Sequence, residues 1–214
     1  MALHLKWFTF NPFSENTYVL YGDNKDCIVF DPGCTNQEEE ETLVSFIDEK
    51  QLNPTRLILT HAHIDHVLGV RFIANKFKLK LEMHQADLPV YESAGNIARM
   101  YNIPFNQGPQ PELFLDETSK IILDGFTVDI FHTPGHSPGS ICFYSKNNNF
   151  LIGGDVLFNG SIGRTDLPGG DFDTLSQSIK TKLYTLPDHT RVFSGHGEST
   201  LIGNEKLHNP FVKA

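Results

Sequence analysis

The chain has no apolar run approaching the roughly 18 residues that a membrane span requires. Its start, MALHLKWFTF, lacks the basic region and apolar core of a secretion signal. Positive charge is short: 17 Lys plus Arg stand against 26 Asp plus Glu, a net charge of −9. Such a surface repels phosphate backbones, so no nucleic-acid partner and no membrane partner are expected. Cysteine is scarce. Cys27, Cys34 and Cys142 lie far apart with no Cys-x-x-Cys pair, which builds no disulfide framework and makes a reducing cytoplasm the expected compartment. No Gly-x-x-x-x-Gly-Lys loop, Gly-x-Ser-x-Gly elbow or Gly-x-Gly-x-x-Gly fingerprint is present, so those chemistries lose their sequence support. No Pro-rich or Gly/Ser-rich linker and no internal repeat divides the chain, and residues 1–214 read as one domain, compatible with a homo-oligomer. With 39% hydrophobic residues and 17 Phe, disorder is excluded.

The pattern of what is present alternates strand and helix. NTYVLYG and DCIVFDPG flank GDNKD, a hairpin signal. A helix follows over about 36–51, with Thr35 and Glu38 as a capping box and Leu43, Phe46 and Ile47 as its apolar stripe. RLILT reads as a buried strand, VLGVRFIANKF as a helix, KLKLEMH as a strand, and residues 86–101 as a helix with Pro89 in its first turn. FTVDIFHT, SICFYSK, FLIGGDVLF and RVFSG are further strands. Asp173 is placed to cap a helix carrying Leu175, Ile179, Leu183 and Leu186. The sum is a layered α/β protein.

Histidine is plentiful, 10 in all, and it clusters. LILTHAHIDHVLGV carries His61, His63, Asp65 and His66 on a strand-to-helix turn, where the chain can curl so that imidazoles and a carboxylate converge. Three other apolar runs end likewise: VDIFHTPGHS reaches His136, FLIGGD reaches Asp155, and RVFSGH reaches His196. Ligands in α/β sheets bind at that carboxyl edge, and neighbouring glycines permit close backbone approach. Seven candidate ligands exceed one tetrahedral zinc and suit two metals sharing a carboxylate and a water.

HAHIDH at 61–66 resembles the His-x-His-x-Asp-His signature of the metallo-β-lactamase superfamily, and TPGHSPGS, GGD and SGHG resemble its later motifs in the same order. The resemblance runs from VFDPG to SGHGEST. It implies a four-layer αβ/βα sandwich and two zinc (or iron or manganese) ions per chain. By it, His61, His63 and His136 hold the first metal, Asp65, His66 and His196 the second, and Asp155 bridges them. Asp31 in VFDPG supports the site from behind, and Asp65 also serves catalysis by orienting the nucleophile.

Within the superfamily, GSIGRTDLPGGD resembles a segment of the glyoxalase II-like thioester hydrolases. The implied activity is hydrolysis of a small-molecule thioester by a metal-bridged hydroxide, as in hydroxyacylglutathione hydrolases. The two metals would lower the pKa of water from 15.7 to roughly 7. The helical domain that contributes glutathione contacts in full-length relatives is not expected here, since only 214 − 196 = 18 residues follow His196. Arg164 is the candidate substrate anchor, by its planar fork, with pairing to Asp166 or Asp171 the equal alternative. The rival activity is that of the similar persulfide dioxygenases, with one iron on His61, His136 and Asp155. A non-catalytic metal-binding protein would lack a ligand, and none is missing.

Other candidates read as structural. His132 shares strand parity with Phe126, Val128 and Ile130, and His84 ends a strand; both are expected to pack, and His4, His189 and His208 to lie on the surface. Cys34 reads as a small buried hydrophobe. Tyr101 and Phe105 form either a lid or core packing.

Overall fold

A computed structural model describes residues 2–214. Two six-stranded sheets stack face to face. The first comprises β1 (Leu3–Phe10), β2 (Glu15–Gly22), β3 (Asp26–Phe30), β4 (Asn53–Ile58), β5 (Leu81–Met83) and β6 (Leu113–Phe114), in that spatial order. The second contains β7 (Ile121–Leu123), β8 (Phe126–His132), β9 (Ile141–Ser145) and β10 (Phe150–Gly154). A short hairpin, β11 (Leu157–Phe158) and β12 (Ser161–Ile162), precedes β13 (Arg191–Ser194) and β14 (Thr200–Leu201), which complete the second sheet in the order β14-β13-β10-β9-β8-β7.

The strands are apolar on both faces because both faces are covered. In β2, β3, β9 and β10, alternate residues (Leu20, Ile28, Phe30, Phe143 and Ile152) enter the core between the sheets. Their neighbours point the other way. Val19, Cys27 and Val29 meet helices α1 (Gln37–Glu49), α3 (Val70–Phe77) and α4 (Leu88–Tyr101) through Leu43, Ile47, Ile73 and Tyr91. Cys142, Tyr144 and Leu151 meet Leu175 of α5 (Phe172–Ser178) and Ile202 of α6 (Ile202–His208). This gives helix, sheet, sheet, helix: the αβ/βα sandwich that the motifs implied. All three cysteines are buried and free. No helix among the described residues is long and apolar enough to cross a membrane.

The periodicity of VLGVRFIANKF conceals a break. A short helix α2 (Ile64–Val67) precedes α3, and Gly69 separates them. Its amide bonds to the Pro32 carbonyl at 2.7 Å, and a Cβ there would stand 2.3 Å from Cys34 Sγ, so this close approach has room for glycine and for no larger residue.

Two helix starts differ from the sequence expectation. The cap of α1 is Asn36, whose side chain accepts from the Glu39 amide, and not Thr35. Glu39 rather than Glu38 reaches back, accepting from the Thr35 amide at 2.7 Å and the Asn11 amide at 2.9 Å. It thereby ties the β1–β2 turn to the helix. The cap of α5 is Asp171, accepting from the Thr174 amide at 2.8 Å, and Asp173 lies inside the first turn. Either residue fits a sequence pattern; backbone extension at Asn36 and Asp171 decides. Asn36→Ala and Asp171→Ala are each expected to cost about 1 kcal/mol of stability. Glu38→Ala and Asp173→Ala should cost less than about 0.5 kcal/mol. Urea midpoints of the four variants check this.

Candidate metal centre

β3 and β4 run parallel, as do β10 and β13, and β8 shares the direction of β10 because β9 is antiparallel to both. The carboxyl ends of β3, β4, β8, β10 and β13 therefore open at one seam between the sheets. The Ile141 amide bonds to the Thr60 carbonyl at 2.9 Å and the Asn16 amide to the Gly195 carbonyl at 2.7 Å, closing the sheets together there. His61 and His63 follow β4, Asp65 and His66 lie on α2, and His136 sits in the β8–β9 loop. Asp155 follows β10 and His196 follows β13.

These seven side chains come together in two adjoining groups. His61, His63 and His136 offer ligand atoms within 4.8 Å of one another, and so do Asp65, His66 and His196. In the first, His136 Nε2 is 2.8 Å from His63 Nδ1 and 3.2 Å from His61 Nε2. In the second, His196 Nε2 is 3.0 Å and His66 Nε2 3.6 Å from Asp65 Oδ2. Asp155 lies between: Oδ2 is 3.6 Å from His136 Nε2 and 3.4 Å from His196 Nε2, and Oδ1 is 3.5 Å from His66 Nε2.

The donor set fits metal. His66 Nε2 and Asp155 Oδ1 are buried without a hydrogen-bond partner, which a folded protein tolerates only for a reason. Burial and the neighbouring His66 hold His61 well below its ordinary pKa, and burial and His136 push His63 down to about 3. In the first group His61 and His63 are thus neutral, and three imidazoles crowd their nitrogens together. The second is charged. Burial pulls the His66 pKa down, yet Asp65 and Asp155 outweigh it and hold it well above its ordinary value. Bonds to Asp155 and Asp65 similarly overcome burial at His196 and raise it to about 10. Carboxylates that keep protons on two imidazoles would equally hold a cation in their place.

The rear nitrogens are anchored, which turns the front ones inward. His136 Nδ1 donates to the Arg164 carbonyl at 2.7 Å, and His66 Nδ1 lies 3.1 Å from Asp31 Oδ2. His196 Nδ1 lies 3.1 Å from the Phe13 carbonyl, and His61 Nδ1 3.1 Å from the Thr60 hydroxyl. Asp31 also accepts from the Thr60 amide at 2.7 Å and its hydroxyl at 2.6 Å, from a left-handed backbone at φ 47°. It joins His61 and His66 in a third group of close ligand atoms, but both oxygens are already taken. Glu15 went unnoticed in the sequence. It is fully buried, burial raises its pKa well above the usual value, and its Oε1 lies 3.9 Å from His66 Nδ1. The only signal is an acidic residue heading an apolar strand.

The other candidates lie apart from the two groups. Arg164 is exposed and paired in a fork with Asp166, both bonds 2.7 Å, so of its two expected carboxylate partners it takes Asp166 and not Asp171. Tyr101 is exposed with its ring against Phe13, and Phe105 packs on the helix-side core. Cys34 is buried. His84 and His132 stack on each other at 4.1 Å, and His132 Nε2 bonds to the Pro138 carbonyl at 2.9 Å.

A paired histidine–aspartate centre at the seam of a four-layer sandwich defines a class of metallo-hydrolases. The sequence profile of the metallo-beta-lactamase superfamily matches residues 10–196, and the chain belongs to that superfamily. It is 38% identical over 204 residues to the hydroxyacylglutathione hydrolase GloC of Haemophilus influenzae, covering 94% of each chain. Among solved structures it is similar to the BLEG-1 B3 metallo-beta-lactamase, at 38% identity and a TM-score of 0.90, over 99% of this chain and 100% of that one. It is also similar to TTHA1623 in a di-iron-bound form, at 38% identity and a TM-score of 0.85, over 97% and 100%.

Gly195 separates two of the candidate ligands from the backbone. A Cβ there would stand 2.0 Å from Asp155 Oδ1 and 2.8 Å from His66 Cε1. Gly195→Ala is expected to displace Asp155 and weaken metal retention by at least about 10-fold, the scale of lost ligand support. Equilibrium dialysis against zinc, beside circular dichroism for the fold, measures it.

Proposed function

We propose that the chain is a thioester hydrolase with a dinuclear centre, His61, His63 and His136 holding one metal and Asp65, His66 and His196 the other, with Asp155 shared. The observation that carries this is the position of Asp155, within 3.6 Å of nitrogens in both groups. Zinc is the expected ion, with iron or manganese as substitutes; the likeness to a di-iron protein supports two metals per chain. When bound, the pair would supply Lewis-acid activation of water and of a carbonyl oxygen.

The chain's own residues do the rest. The carboxyl of Asp65, half-buried, is held below its usual pKa: burial raises it, but His66 and the His196 hydrogen bond more than compensate. It stays ionised, aims Oδ2 into the second group, and there orients an attacking water and accepts its proton. The acyl carbon gains the water oxygen while Asp65 takes one proton; the carbon–sulfur bond breaks with its electron pair on sulfur, and the new carboxylic acid gives its proton to solvent, so a carboxylate and a thiolate leave. No serine or cysteine nucleophile is required. The GloC relative supports a hydroxyacyl thioester as the substrate class.

Metal analysis of protein purified without chelators tests the reading, together with hydrolysis of S-lactoylglutathione, a small neutral thioester and a β-lactam. The expected result is about two ions per chain and thiol release exceeding β-lactam cleavage. One iron per chain with oxygen uptake on glutathione persulfide would replace it by the dioxygenase reading. Preferred β-lactam turnover would move the substrate class to that of the BLEG-1 relative. Asp65→Asn is expected to keep the fold, lose one ion and lower kcat on thioesters by about 10²-fold or more. Near-wild-type turnover would contradict its role.

Arg164 is exposed, its carbonyl bonded to His136 and its guanidinium shared with Asp166; a carboxylate on the thiol carrier would compete for the same fork. Arg164→Ala is expected to raise KM for S-lactoylglutathione several-fold with little effect on the neutral thioester. Parallel kinetics on the two substrates decide.

A further inference from the structure

Asp87 immediately precedes α4, where an aspartate ordinarily accepts a bond from the helix's own first amides. This one makes no such bond. It is fully buried and turns its carboxylate away from its helix. Oδ2 accepts from the amide of Ala62, the residue between His61 and His63, at 2.7 Å. Oδ1 accepts from the Gly139 amide at 2.6 Å and from the Ser137 hydroxyl, in the segment that follows His136. One carboxylate therefore grips both chain segments that carry the first metal group. The segments belong to opposite sheets, one after β4 and the other between β8 and β9. Position 139 is shaped for this contact, since a Cβ there would stand 2.6 Å from the Asp87 amide nitrogen.

We propose that Asp87 is a positioning residue for the first metal group, fixing the Ala62 and Ser137–Gly139 segments so that the nitrogens of His61, His63 and His136 converge. This rests on the dinuclear reading above. Three donors converge on two acceptor oxygens. An asparagine has the same shape but only one acceptor oxygen, so an amide N–H would face a donor across one of these bonds. The misplacement acts on the first group and spares the second, whose members Asp65, His66 and His196 make no bond with Asp87.

The test is zinc titration of metal-free protein in two backgrounds. His196→Ala leaves the first group as the complete site, and His63→Ala leaves the second. Adding Asp87→Asn is expected to weaken zinc binding about 10- to 100-fold in the first background, and by less than about 3-fold in the second. Ser137→Ala removes one of the three donors and should weaken the first site alone by a few-fold; it carries the test if Asp87→Asn does not fold. Unchanged affinity in both backgrounds, or equal weakening in both, would overturn the proposal and leave Asp87 a fold-stabilising residue. Wild-type protein that binds fewer than two ions would overturn the dinuclear reading and the proposal with it. Two ions in the wild type, with no selective loss in the variants, would overturn the proposal alone.

Discussion

Seven ionisable side chains share one seam, and four of them, His61, His66, His136 and Asp155, are buried. Groups of this kind are costly to bury without partners. Two atoms, His66 Nε2 and Asp155 Oδ1, are buried without a hydrogen bond. A cation would satisfy the imidazoles of one group and the carboxylates of the other at once. The remainder of the site is arranged around that requirement: rear nitrogens anchored, glycines where a Cβ would collide, and a backbone bent at Asp31 to deliver a carboxylate behind His66.

The sandwich makes the seam possible. Each sheet carries candidate ligands at its carboxyl edge, but neither carries a complete set. The first sheet supplies His61 and His63 with α2, and the second supplies His136, Asp155 and His196. Packing Ile28, Phe30 and Ile58 against Phe143 and Ile152 sets the sheets face to face, and the Ile141–Thr60 and Asn16–Gly195 backbone bonds fix their edges. Core packing and site geometry are thus one problem. A shift of one sheet against the other would separate His63 from His136, whose nitrogens lie 2.8 Å apart.

Much of this was legible in the sequence because it is local. HAHIDH places four candidate ligands within six residues on a turn, and apolar runs ending in His136, Asp155 and His196 mark strand ends without knowledge of the fold. The alternation of strands and helices implied a layered α/β protein, and the family resemblance implied its four layers. What stayed hidden depends on long-range placement. Glu15 is one acidic residue among many until β2 brings it beside His66. Arg164 drew notice for its guanidinium, yet its closest tie to the site is its backbone carbonyl, bonded to His136, and no side-chain pattern encodes that. The helix starts were misplaced by one or two residues, because Asn36 and Thr35, or Asp171 and Asp173, satisfy the same local rule and only the backbone angle separates them.

Three acidic residues at the seam break local rules. Asp31 holds a left-handed backbone that non-glycine residues avoid. Asp87 stands at a helix start and leaves the helix uncapped. Glu15 buries a carboxyl among Asp31, Asp65 and His66, and burial raises its pKa well above the usual carboxylate range. Away from the seam, Asn36 and Asp171 cap their helices, and His4 and His189 find surface partners in Asp23 and Asn149. Local consistency is what a sequence needs merely to fold. Its suspension at three acidic residues, each within one contact of a candidate ligand or of the chain beside it, marks where folding alone did not choose the side chain.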